Sequence, residues 1–214
     1  MQNTFALEVR SGWALITGIF RKVQITLTLH MLKRRSQCYN VRDEISIIVT
    51  LIQLGSLIVG ASFIDRSGRK FLLTLSALFM FFALFFLGGY FYYQETRIEF
   101  ANKIYWLPVI SALIYITAFS NGCGPIPWLM MGELFSPEVK EVVGSISSFS
   151  NWTFGFIVTF VFGPLQNEVH IYGVFWIFAG ICVLNLIFVL SCVYETKGKT
   201  LQEINDHFRG TYFN

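Results

Sequence analysis

The run FSNGCGPIPWLMMGELF, residues 119–135, places Gly122, Gly124, Pro125 and Pro127 within six consecutive positions of an otherwise apolar stretch. It lies mostly inside a charge-free window from Ile104 to Gly132, 29 residues long. About 20 apolar residues suffice to cross a bilayer core of about 30 Å, so the window reads as a membrane-spanning helix with a break towards its end. Each proline lacks an amide donor and clashes with the carbonyl four residues back, here those of Asn121 and Cys123, so the helix has to bend or open. Carbonyls freed in lipid are tolerated only where protein or a watery cavity satisfies them. The segment is therefore either a packing kink or a discontinuous helix beside a solute path.

Working outward, the same pattern recurs. All 29 charged residues fall outside five windows, Ile45–Ile64, Phe71–Gln94, Ile104–Gly132, Val142–Asn167 and Val169–Tyr194, of 20, 24, 29, 26 and 26 residues. The chain of 214 residues is 54% hydrophobic and 14% charged, with a mean hydropathy of +0.57, whereas soluble domains carry about 25% charge. A disordered tail is excluded and a soluble enzyme is disfavoured; the fold class is an all-α membrane protein embedded in a lipid bilayer. The net charge of +3 is not gathered into a basic stripe with interleaved aromatics, so no nucleic-acid partner is expected.

The connections orient the spans. DRSGRK (residues 65–70) holds three basic residues, the third connection holds Lys140, and the tail after Tyr194 holds Lys197, Lys199 and Arg209. The alternate side holds only Arg97 and Lys103, so the positive-inside rule makes DRSGRK and the C-terminus cytoplasmic. Tyr90 to Tyr93 and Tyr105-Trp106 then form an aromatic belt on the outer side. Residues 1–44 fit poorly: seven basic residues would stand on the outer side of a five-helix bundle. Making Gly12 to Leu32 a sixth span would put Arg21 and Lys22 mid-membrane at about 2.5 to 3.5 kcal/mol each. The segment is read instead as poorly ordered or lying on the surface, and no signal peptide is evident.

Amide side chains stand within the spans at Gln53, Asn121, Asn151 beside Trp152, and Asn185. An amide both donates and accepts, which suits a neutral polyol, and an indole face can stack on a sugar ring. The same amides also serve as interhelical glue. Glue is the preferred reading for Asn185, while Gln53 and Asn151 stay open. Cys38, Cys123, Cys182 and Cys192 lack metal-ligand spacing and read as buried thiols, and the sequon at Asn151 lies within a span. Nothing in the spans supplies a nucleophile and base or a metal set, so neither enzyme activity nor a cofactor is expected.

Four motifs together carry a resemblance: DRSGRK, GPIPWLMMGELF, FSNW (residues 149–152) and ETKGKTLQEI (residues 195–204). In this order and spacing they resemble the C-terminal half of the sugar porters of the major facilitator superfamily, in particular insect facilitated trehalose or hexose transporters. The resemblance covers about residues 45–208 and corresponds to helices 8 to 12 of a twelve-helix fold.

The resemblance implies facilitative transport of a small neutral sugar by alternating access. It implies that Gln53, Phe119, Trp128, Asn151 and Trp152 contact the substrate and that Gly122, Gly124, Pro125 and Pro127 form the break. Asp65, Arg66, Arg69, Lys70, Glu133 and Glu195 would be the charges that latch a cytoplasmic gate. The implied organisation is an atypical basic segment 1–44, a five-helix region 45–194 of a partial major facilitator fold, and a cytoplasmic tail 195–214. The implied location is the cell membrane, multi-pass. The family's polar helix 7 signature is absent upstream of residue 45, and Tyr194 stands where the family has proline. The alternative is a truncated, non-transporting paralogue that associates with other transporter chains.

Overall fold

The computed structural model describes residues 18–20, 23, 47, 50–60, 62, 68–97, 104, 106–134 and 137–193, without the side chains of 131–134, 137–140, 143, 167 and 192. Every regular element among them is helical. The first, α1 (Thr50–Gly60), is a short apolar helix inside the first charge-free window. The second, α2 (Arg69–Thr96), starts at Gly68, whose φ of 87° lies in the left-handed region that a residue without Cβ enters freely. Its 28 residues exceed the thickness of a bilayer core. The third, α3 (Leu107–Asn121), has Pro108 in its first turn, where the missing N–H has no intrahelical partner to lose. After a break comes α4 (Ile126–Leu134).

The remaining run, Pro137–Cys192, leaves helical geometry at His170 (φ 59°, ψ 163°). It contains two spans, α5 (Gly144–Gln166) and α6 (Glu168–Ser191). With α2 and the broken stretch Leu107–Met130, four helices among the described residues are long and apolar enough to cross a membrane. They coincide with the last four of the five charge-free windows.

The core forms where α2 packs between α3 and α6. Leu73, Ala77, Met80, Leu84, Leu87 and Phe91 recur at three- and four-residue steps along α2 and are all buried. Leu73, Met80, Leu84, Leu87 and Phe91 form one cluster with Tyr115, Phe119 and Ile126 of the broken helix and with Val174, Phe175, Phe178 and Cys182 of α6. Phe91 lies flat on Phe175 at 5.3 Å between ring centroids. Phe79, Phe82, Phe85 and Phe86 of the same helix are exposed. In lipid, both environments are equally apolar, so close packing around small residues decides which side turns inward. Ser76, Ala77, Ala83 and Gly88 supply the small side of α2, and Gly88 admits Trp176 so closely that a Cβ would stand 2.5 Å from its ring.

The aromatic belt expected around Tyr90 to Tyr93 has a partner on α6. Tyr92 packs against Tyr172 and Trp176, and His170 stacks on Tyr172. Glu95 at the end of α2 pairs with His170 at 3.5 Å, tying the turn between α5 and α6 to α2.

One expectation is corrected. The segment around Gly12 to Leu32 is expected to be poorly ordered or to lie on the surface, yet among its described residues Phe20 is 0% and Val23 2% exposed, both within the main core. The Tyr115 hydroxyl donates to the Phe20 carbonyl at 3.0 Å. Gly18 lies so near Asn151 that a Cβ would sit 2.5 Å from its carbonyl oxygen. The charge of Arg21 and Lys22 weighed against burial of the whole segment, whereas a helix buries positions one face at a time, and positions 20 and 23 share a face.

Candidate functional site

The break is built from the residues that the sequence singles out. Helix α3 ends at Asn121, residues 122–125 form turns, and the helix resumes at Ile126. With Pro125 and Pro127 unable to donate, the backbone re-pairs. Gly124 N–H reaches back five residues to Phe119 O at 2.8 Å, Ile126 N–H donates to Gly122 O at 3.2 Å, and Leu129 N–H to Pro125 O at 3.1 Å. The Phe119 side chain is buried, and its ring lies 3.3 Å from where a Cβ on Gly124 would be.

The groups released at the break find partners on α2 and α6. The Ser76 hydroxyl donates to Ala118 O at 2.7 Å and accepts from Cys123 N–H at 3.3 Å. Its oxygen also lies 3.4 Å from Cys123 Sγ, and the Asn185 amide donates to that sulfur at 3.6 Å. Gly122 makes this approach possible, since a Cβ there would stand 2.3 Å from that of Ser76. Asn185 is therefore an interhelical bond former, in keeping with its reading as glue. Ser76 was missed by the sequence reading; the available signal was a small hydroxyl, two positions after Thr74, among the apolar residues of α2.

The other expected contacts spread around this junction. Trp128, on the first turn of α4, is 42% exposed. Gln53 is half-buried on α1, which meets the break through Gly60, where a Cβ would lie 2.6 Å from Asn121 Oδ1. Seven residues separate Gln53 from that contact, about 10 Å along the helix axis. Asn151 and Trp152, expected as one polar and aromatic pair, are divided: Asn151 is 5% exposed and Trp152 61% exposed. Successive helical residues point about 100° apart, so one enters the bundle as the other leaves it.

Of the expected gate charges, Asp65, Arg66 and Glu195 lie outside the described residues, and of Glu133 only the backbone position in α4 is described. Arg69 is half-buried at the start of α2. Lys70 Nζ donates to Leu190 O at 2.9 Å, so this ammonium caps the C-terminal end of α6, where a cation is favoured by the helix dipole.

A family model described as sugar (and other) transporter matches residues 24–208. The chain belongs to the sugar transporter family. The match takes in residues 24–44 as well as the stretch from residue 45 onward. Relatives of this sugar transporter family chain include the facilitated trehalose transporter Tret1 of Drosophila willistoni, 40% identical over 165 residues, which are 77% of this chain and 19% of the relative. Tret1 of Polypedilum vanderplanki is 41% identical over 165 residues, 77% of this chain and 32% of the relative.

Among solved structures, the major facilitator proton:xylose symporter XylE bound to 6-bromo-6-deoxy-D-glucose superposes with a TM-score of 0.78 at 26% identity, covering 94% of this chain and 42% of XylE. The inward-open conformation of XylE from E. coli gives a TM-score of 0.72 at 26% identity, covering 93% and 42%. The chain thus spans less than half the length of each of these relatives. It is a multi-pass membrane protein with a partial major facilitator fold.

Proposed function

We propose that this sugar transporter family chain supplies helices 8 to 12 of a facilitative carrier that moves a small neutral sugar, trehalose or a hexose, across the cell membrane by alternating access. The observation that carries the reading is the break at residues 122–125. It interrupts a spanning helix beside buried polar groups and is followed within one turn by the exposed indole of Trp128. Discontinuous helices mark the solute path in transporters, because a backbone that leaves helical pairing within the membrane needs protein or a watery cavity around it. Transport of a neutral sugar breaks no bond, so the site needs amides to trade for the hydroxyl groups' water and aromatic faces for the ring. Gln53 and Asn151 fill the first role, and Phe119, Trp128 and Trp152 the second. Asp65, Arg66, Arg69, Lys70, Glu133 and Glu195 form the cytoplasmic latch, with Lys70 also capping α6.

The test is a graft. Residues 45–208 replace the matching segment of a full-length facilitated trehalose transporter, and uptake of labelled trehalose and glucose is followed in reconstituted vesicles. Saturable uptake, competed by excess unlabelled sugar, is expected. A folded graft that carries neither sugar would end the proposal.

Orientation is tested separately in intact cells. With the native cysteines replaced, single cysteines at Thr96 and Asn167 are expected to react with an impermeant reagent, and those at Ser67 and Thr200 only after permeabilisation. The reverse pattern would invert the assigned topology.

A further inference from the structure

We propose that Ser76 is the positioning residue of the broken helix: its single hydroxyl gives the Cys123 amide the acceptor that the break takes away and ties that amide to the Ala118 carbonyl. In an unbroken helix, Cys123 N–H would go to Phe119 O. Here Phe119 O is taken by Gly124 N–H, leaving the Cys123 amide without its ordinary acceptor. Ser76 Oγ accepts from that amide and donates its only proton to Ala118 O, so it bridges the last full turn of α3 and the first residues beyond it.

A hydroxyl on a helix in lipid ordinarily turns back on its own carbonyls. Thr74, two residues earlier, does so, donating to Lys70 O at 2.9 Å. Ser76 instead donates across to a residue 42 positions away. Three features permit this: the hydroxyl is on the short side chain of serine, Gly122 has no Cβ to block it, and both helices are buried there. Asn185 on α6 holds the same Cys123 from the other side through its sulfur. The break is thereby pinned to α2 and α6, and the course of α4, with Trp128 on it, is set from that pinned point.

The consequence for sugar contact rests on the transport reading above, but the test needs no sugar and stands whether or not that reading does. The full chain in lipid nanodiscs is compared by residue-resolved amide hydrogen exchange as wild type, Ser76→Ala and Ser76→Cys. Cysteine has nearly the shape of serine but is a poor donor and acceptor, so it separates space filling from hydrogen bonding. Exchange at Cys123 and Gly124 is expected to rise roughly tenfold to a hundredfold in both variants, with the mid-helix amides of α2 and α6 unchanged. Wild-type exchange in Ser76→Cys with acceleration only in Ser76→Ala would make Ser76 a space-filling residue and overturn the proposal. Unchanged exchange at the break in both variants, or equal acceleration throughout α2, α3 and α6, would also overturn it.

Discussion

Gly122→Ala is expected to destabilise the folded chain by about 3 kcal/mol, at the upper end of what an oversized side chain costs in a packed interior. The added methyl would stand 2.3 Å from Ser76 Cβ and 3.1 Å from the backbone oxygen of Leu72. A backbone oxygen held within a helix cannot swing aside, so α2 and the end of α3 must part. Parting them also stretches the two hydrogen bonds of Ser76 and leaves buried groups unpaired. The measurement is equilibrium unfolding of the chain in mixed micelles with increasing anionic detergent. The double variant Ser76→Gly with Gly122→Ala is expected to recover part of the loss, because the conflict with the Ser76 side chain is relieved but the approach to Leu72 O remains and the hydroxyl is gone. A change within about 0.5 kcal/mol for Gly122→Ala alone would mean that the helices do not approach this closely.

In the grafted carrier, Trp128→Ala is expected to raise the KM for sugar uptake about tenfold, the loss of a ring stacked on the substrate together with its excluded water. Gln53→Ala should act in the same direction by removing an amide partner of the sugar hydroxyls. Asn185→Ala provides the contrast. Its amide faces Cys123 rather than open space, so its loss should lower the amount of folded carrier while leaving KM close to that of the unsubstituted graft. Equal KM values for Trp128→Ala and the unsubstituted graft, at matched expression, would remove Trp128 from the site. A raised KM in Asn185→Ala, matching that of Trp128→Ala, would mean that both report distortion of the break rather than contact.

Much of this protein is legible along the sequence because a bilayer imposes a one-dimensional rule. A spanning segment must hold its charges at bay for about 20 residues. The windows from Phe71, Ile104, Val142 and Val169 satisfy that rule, and four spans stand in them. The break is equally local, since Pro125 and Pro127 disable backbone bonds whatever surrounds them. Its position at residues 122–125 follows from the residues themselves.

What the sequence left undecided is which way each helix faces. Hydropathy cannot tell a lipid-facing phenylalanine from a buried one, and α2 carries both: Phe79, Phe82, Phe85 and Phe86 outward, Phe91 inward against Phe175. The same ambiguity hid the burial of Phe20 and Val23, because the neighbouring charges weighed on the whole segment while only one helical face had to enter the core. It also divided Asn151 from Trp152. The places of the last four spans and the breaking point of one of them were thus legible in the sequence alone, through the thickness of the membrane and the chemistry of proline. Only the tertiary structure decided that the break would be closed by a serine 42 residues away, because a hydrogen bond between helices depends on how closely their backbones approach, and here that approach is set by the absence of a single Cβ at Gly122.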